Sequence, residues 1–237
     1  VTRTRLIAFV AVAALAVAGF VRLGFWQLGR LAERRAANAA VQGRLEMPPA
    51  DVADIAADTA TARFRRTVVR GQWDYANELV LTSRSRQGSP GVHLITPLRP
   101  ADGGVAVLVN RGWVYAADGM TVDLARWAER DSGVVEGFVE TYTDFAGPVA
   151  TPSAPRGVRR LTGDSVAARI PYPILPILVV QGDTATIPSQ EHPVRVPPPT
   201  LDEGAHRSYA IQWFAFALIT VIGTAAVLSR SRLRSVR

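Results

Sequence analysis

The sequence contains no cysteine. That excludes disulfides, thiolate metal sites, thiol nucleophiles and covalent c-type haem attachment. Lysine is missing as well, so all 27 basic residues are arginine. This removes Ser–Lys hydrolase chemistry, Schiff-base formation and a phosphate-binding P-loop. Only three histidines occur, at 93, 192 and 206. No "GxSxG" elbow, "HExxH" pair or dinucleotide fingerprint is present, and a Ser-His-Asp set remains possible only in a formal sense. The nearest approach to a metal cluster is Asp202-Glu203 with His206, too small for a closed site.

The formal charge of +7 does not point to nucleic acid. Arg3, Arg5, Arg230, Arg232, Arg234 and Arg237 sit at the two ends, and the other 21 of the 27 basic residues face 20 acidic ones. An excess confined to two tails is a membrane-topology pattern, not a nucleic-acid groove.

Two stretches are long and apolar. Residues 6–28 are apolar except for Arg22 and Gln27, and residues 209–228, "YAIQWFAFALITVIGTAAVL", carry no charge. Each reads as a transmembrane helix, since about 20 helical residues cross a hydrocarbon core of about 30 Å. The first also has the shape of a secretory signal, with Ala16-Val17-Ala18 as a cleavage site. The apolar run continues past Gly19, which favours a retained span. Either reading exports the region after residue 28. Two spans place both termini on one side, and the arginines after the second favour the cytoplasm. The central region is then extracytoplasmic, at a plasma (inner) membrane.

The expected organisation is a first span with its short N-terminus at 1–28 and a helical connector at 29–62. An extracytoplasmic β domain occupies 63–191, then a Pro-rich linker and span entrance 192–208. The second span occupies 209–228 and a basic tail 229–237. Within the connector, "LGRLAERRAANAAVQGRLE" favours a continued helix, with Arg30 and Glu33 spaced to pair. Within the β domain, "TVVRGQW" puts Thr67, Val69, Gly71 and Trp73 on one face. "ELVLTSR", "GVHLITPL", "GVAVLVNRGWVY", "GVVEGFVETY" and "ILPILVVQGD" continue the strand pattern. "VAVLVN", apolar on both faces, predicts a central strand followed by a turn at Arg111-Gly112-Trp113. "DGG" at 102–104 predicts a hairpin turn, and "DLARWAER" a helical turn or two. The predicted fold class is membrane α+β: two transmembrane helices flanking an exported, mainly antiparallel β domain, a barrel or sandwich of about six or seven strands. "HPVRVPPPT" reads as an extended linker in which His192 has no local partner.

His93 lies inside a strand and reads as structural. His206 lies three residues before Tyr209 and seven before Trp213, on one helix face at the mouth of the second span. Interfacial anchoring accounts for Tyr209, Trp213 and Trp26, and snorkelling for Arg30. Gln27 is harder to assign to anchoring, because an amide at a span end needs a hydrogen-bond partner.

"GFWQLGRLAERRAA", "VRGQW", "GVHLITPL", "VLVNRGWV" and "HRSYAIQWFAFALI", in this order and between two spans, resemble the surfeit locus protein 1 family over essentially the whole chain. The resemblance implies a non-enzymatic assembly factor of cytochrome c oxidase. It implies partnership with oxidase subunits, chiefly the haem-bearing subunit I, and with the lipid bilayer; no nucleic acid is involved. It also implies haem a as a cofactor. The family's histidine at the second-span entrance falls on His206, and its Trp, Gln and Arg fall on Trp26, Gln27 and Arg30. His206 is then the iron ligand, as a neutral imidazole. Trp26, Tyr209 and Trp213 would cover the macrocycle, and Arg30 and Arg207 would meet its propionates. The residues before His206 are "DEGA", where many members carry an Asn/His pair, so ligation by two neighbouring histidines is not supported. Two alternatives stand beside this reading: a structural chaperone or accessory subunit that binds no haem, and a membrane-tethered exported hydrolase.

Overall fold

The structure is a computed structural model and describes residues 3–143, 156–182 and 192–235. Parts of the expected β domain (144–155 and 183–191) and the last two residues of the basic tail lie outside the described residues. The chain divides into two compact units, one formed by Val1–Gln42 with Thr200–Arg237, the other by Gly43–Pro199.

The first unit is built on two long helices, α1 (Arg3–Glu46) and α5 (His206–Ser235). Ala, Leu and Arg sustain α1 after residue 21, where Val41 alone is β-branched, and Pro48-Pro49 end it by forcing Met47 out of the helical region. Both helices are long and apolar enough to cross a membrane. Ile7, Val12, Leu15, Ile211, Leu218, Ile219 and Ile222 are exposed, as side chains facing lipid are. The hydroxyls of Thr220 and Thr224 donate to the carbonyls of Phe216 and Thr220, one turn back, which leaves neither unsatisfied in an apolar medium.

The second unit is a β-barrel. Its strands are β1 (Arg66–Trp73), β2 (Leu79–Arg86), β3 (Ser89–Pro100), β4 (Ala106–Tyr115), β5 (Ser132–Thr141), β6 (Gly157–Val158) and β7 (Ile174–Gln181). The neighbour order is β1-β5-β7-β4-β3-β2-β6, and β1 also pairs with β3. Five strands therefore close on themselves, while β2 and the two-residue β6 extend outward from β3. This selects the barrel over the sandwich. The β4–β7 and β2–β6 pairs are parallel and the others antiparallel.

Alternation fills the interior. In β1 Thr67, Val69 and Gly71 are buried while Arg66, Arg70 and Gln72 are exposed. Val69, Leu98, Val107, Val109, Val135, Val139, Ile177 and Val179 form one core. Two short helices, α2 (Val52–Ala56) and α3 (Thr59–Ala62), pack into it through Val52, Ile55, Ala56 and Ala62. Asp51 and Asp58 cap them, each accepting from the backbone N–H two residues on. These helices, read from the sequence as part of a connector, close the barrel interior. A second core, under the helix α4 (Gly163–Ala167), joins Leu81, Leu108, Leu161, Val166, Ile170 and Leu178.

β4 runs between β3 and β7 and is buried along nearly its whole length. The turn expected at Arg111-Gly112-Trp113 is instead a bulge within the strand. Leu94 faces Gly112 and Ile95 faces Asn110, so Arg111 is the extra residue. Gly112 adopts φ +129°, and a Cβ there would lie 2.4 Å from the Val194 carbonyl oxygen. The bulge turns Arg111 inward. It is fully buried, with Nη1 2.8 Å from Glu78 Oε1 and Nη2 2.9 Å from Glu129 Oε1. Thr96 donates to the same Glu78 oxygen. Tyr75 and Trp73 present their rings 5.1 and 5.6 Å from the guanidinium carbon. Burial pushes the Glu129 carboxyl up, but Arg195 and then Arg111 outweigh it and hold the group below the usual range.

The segment read as an extended linker is extended, but it is strapped to β4. Trp113 and Val194 exchange two backbone hydrogen bonds of 2.7 and 2.8 Å. Arg195 bonds Glu129 Oε2 at 2.9 Å and donates to the Arg111 carbonyl. His192, expected to lack a local partner, has Nδ1 3.1 Å from the Pro193 carbonyl oxygen.

His93 is structural, in keeping with its place in a strand. It is half-buried on β3, its Nδ1 3.1 Å from Asn110 Nδ2. Burial, with help from the Arg84 charge, holds its pKa down to about 4. The unfolded chain, with a pKa near 6.5, binds the proton first. Stability is therefore complete above about pH 6.5 and falls as pH drops toward 4, by about 3 kcal/mol for this group. His93→Gln is expected to flatten that part of the stability–pH curve, measured by thermal unfolding at pH 4.5 and 7.5. An unchanged slope would remove His93 as its source.

Candidate functional site

The first unit brings its two helices together near residues 20–38 of α1. Gly24 is buried, and a Cβ there would lie 2.7 Å from the Phe214 ring, so only glycine lets that ring approach. Phe25 meets Phe214 edge-on at 5.4 Å. Trp213 stacks on Phe20 with centroids 5.8 Å apart. One face of Trp213, expected to cover a ligand, is thus used in helix packing.

One turn further, the polar pair appears. His206 Nδ1 lies 2.9 Å from Gln27 Oε1, across 179 residues of sequence. Gln27 is buried and His206 half-buried. An amide oxygen can only accept, so His206 donates from Nδ1, and in the neutral ring that tautomer leaves the Nε2 lone pair available. An oriented neutral imidazole of this kind is a ready metal ligand, because fixing one nitrogen aims the other.

Three further residues hold the chain that delivers His206. Arg34 Nε and Asn38 Nδ2 both donate to the Asp202 carbonyl, at 3.1 and 2.9 Å. Arg35 grips Glu203 with both of its bonds, at 2.7 and 2.9 Å. Arg35, with a smaller contribution from Arg207, holds the Glu203 carboxyl below the usual range. Asp202 Oδ1 accepts from Gly204 N, closing the turn in which Gly204 adopts φ +67°. The two carboxylates beside His206 thus serve the clasp and the turn. No group of three metal-ligating side chains exists among the described residues. The clasp escaped the sequence reading, though Arg34 and Asn38, four apart, share a helix face.

The remaining predicted site residues stand apart from this pair. Trp26 and Tyr209 are exposed, at 55% and 48%, with broad apolar rings open to the surroundings. Arg30 pairs with Glu33, as its spacing predicts. Arg207 is exposed at the start of α5. The structure thus joins His206 with Gln27, engages Trp213 with Phe20, and records no contact linking Trp26, Arg30, Arg207 and Tyr209 to one another among the described residues.

A model of the SURF1 family matches residues 14–218. A SURF1-like protein of Monosiga brevicollis is 32% identical over 127 residues, covering 49% of this chain and 46% of that one. An uncharacterized SURF1-like protein of Mycobacterium bovis is 27% identical over 238 residues, covering 89% of this chain and 80% of its own. Surfeit locus protein 1 of Takifugu rubripes is 29% identical over 110 residues, 39% of this chain and 45% of that one. The family match runs from within α1, through the whole barrel, into α5 beyond His206 and Trp213, and on that span the chain belongs to the SURF1 family.

Proposed function

We propose that the protein is a membrane-anchored assembly factor of cytochrome c oxidase that binds haem a, or hands it over, during maturation of subunit I. Membership of the SURF1 family supports the assembly role. The two apolar helices support a membrane anchor, and the arginines that follow the second favour cytoplasmic termini with an extracytoplasmic barrel at the plasma membrane. The observation that carries the haem reading is the Gln27–His206 hydrogen bond.

The donor set fits this group. A lone imidazole cannot cage a bare ion, but it suffices for a metal already held by a macrocycle. A bound haem would supply an iron centre able to accept one further nitrogen donor from the protein. His206 would hold the iron through Nε2, and Gln27 would keep the imidazole oriented from the other nitrogen. Trp26 and Tyr209 offer exposed aromatic surface to a flat apolar ligand. Arg207 and Arg30 supply cations for carboxylates, Arg30 by exchanging its exposed pair with Glu33.

Full-length protein purified from cells that make haem a is expected to show haem absorbance. His206→Ala should lose most of it while remaining inserted and folded. Gln27→Leu should lower retention about tenfold, the scale of a lost supporting bond to a metal ligand. Arg30→Ala should matter less, since an exposed ionic contact is screened. Full retention by His206→Ala, or no haem in the parent, sinks the haem reading. Oxidase subunits that still co-purify would then point to the structural chaperone.

A further inference from the structure

The barrel unit carries a cationic cavity of about 450 Å³ between the outer strand β2, β6 and the barrel wall. Its floor is apolar, made by Leu81, Leu161 and Leu178, and its rim holds Arg84, Arg159 and Arg160. No carboxylate among the described residues pairs with Arg84 or Arg159. Residues 79–91 contain no acid, and residues 156–170 contain only Asp164 against four arginines.

Arg84 carries most of the argument. Its side chain is half-buried, Nη2 donates to the Arg159 carbonyl at 2.9 Å, and Nε is buried with no partner. A desolvated donor left unsatisfied is costly, and more so when charged. Burial, then the neighbouring Arg160 and Arg159 charges, push its pKa down. Elsewhere in the same barrel a buried arginine is matched by acids: Arg111 has two. Ser83, at φ +58°, turns the strand so that Arg84 comes next on the cavity side. An arrangement that gathers guanidinium groups over an apolar floor is complementary to a ligand with an oxyanion head and an apolar body.

We propose that this cavity is a binding site for a small amphiphilic anion, its phosphate or carboxylate head held by Arg84 and Arg159 and its apolar body against Leu81, Leu161 and Leu178. The site shares no residue with the His206 pair and is independent of the haem reading.

Butyl phosphate, inorganic phosphate and butanol can be compared on the full-length protein in neutral detergent, by phosphorus line broadening and calorimetry at constant ionic strength. Butyl phosphate is expected to bind saturably, inorganic phosphate several-fold more weakly, and butanol not at all. Arg159→Gln keeps the carbonyl contact and should weaken butyl phosphate about tenfold, the scale of one charge-assisted bond. Arg84→Gln should abolish binding. If that variant does not fold, Arg159→Gln decides alone. Arg70→Gln, exposed on β1, should change nothing. Equal binding by parent and Arg159→Gln, or no saturable binding by the parent, overturns the proposal.

Discussion

Arg111→Ala is expected to prevent the barrel from reaching a stable fold. The guanidinium is fully buried, and its loss strands Glu78, itself 1% exposed, beside Thr96 with no cation. Breaking a buried pair from one side costs about 3–5 kcal/mol. A whole domain is stable by only about 5–15 kcal/mol. The same change removes a donor from the Trp127 carbonyl and one of two cations from Glu129. Accumulation in membranes should fall sharply, and whatever is purified should melt well below the parent. Arg111→Met combined with Glu78→Gln should recover part of the loss, because the stranded charge is gone. A single variant melting within about 2 °C of the parent, equivalent to less than about 1 kcal/mol, would show that the network contributes little.

Gly71→Val is expected to open the barrel at its seam. Gly71 faces Pro100 on one side and Gly133 on the other, so β1 serves two neighbours at this residue. A Cβ would lie 2.2 Å from the Arg99 carbonyl oxygen and 2.8 Å from its carbon. Both are backbone atoms, and no rotamer change relieves the overlap. Overpacking against flexible side chains costs about 1–3 kcal/mol, and a rigid neighbour places this change at or above the top of that range. Proteolysis of intact membranes should cut within β1 in the variant and spare it in the parent. Gly43→Val, at a position with no neighbouring atom within 4 Å, is the matched control. Equal resistance of both variants would mean that the seam can widen.

Much of the barrel was legible because its determinants are local. Two-residue alternation put Thr67, Val69 and Gly71 inward, and they are. The doubly apolar "VAVLVN" is flanked on both sides, and "DGG" turns between β3 and β4, where Asp102 Oδ1 accepts from Gly104 N. What the pattern could not show was partnership across the chain. Arg111 meets Glu78, Glu129 and Arg195 only after the topology has placed them, and the bulge that turns it inward mimics a turn signal. The value of glycine at 71 is likewise set by the carbonyl of Arg99, on another strand.

The helix mouth divides the same way. Gln27 stood out because an amide at the end of an apolar run demands a partner, and its bond to His206 supplies one. Trp213 read as an interfacial anchor, with a ligand-covering role implied only by the family resemblance, and Phe20, in the other helix, decides its stacking. The Arg34, Arg35 and Asn38 clasp resembled an ordinary solvated helix face until Asp202 and Glu203 were brought against it.

The position of β7 sets a schedule for the chain's birth. It is the last strand of the barrel in sequence, yet it slots between β4 and β5 as an interior stave. Until Ile174–Gln181 has emerged, β4 and β5 each present an unpaired edge, the kind of edge that recruits other chains into aggregates. No earlier hairpin can seal the gap, so closure waits on contacts between segments far apart in the chain, and such contacts form slowly. A nascent molecule therefore passes through an open, adhesive stage that ends only when the final stave is inserted. During that interval its fate depends on how quickly the rest of the chain is delivered, not on the strength of the finished barrel.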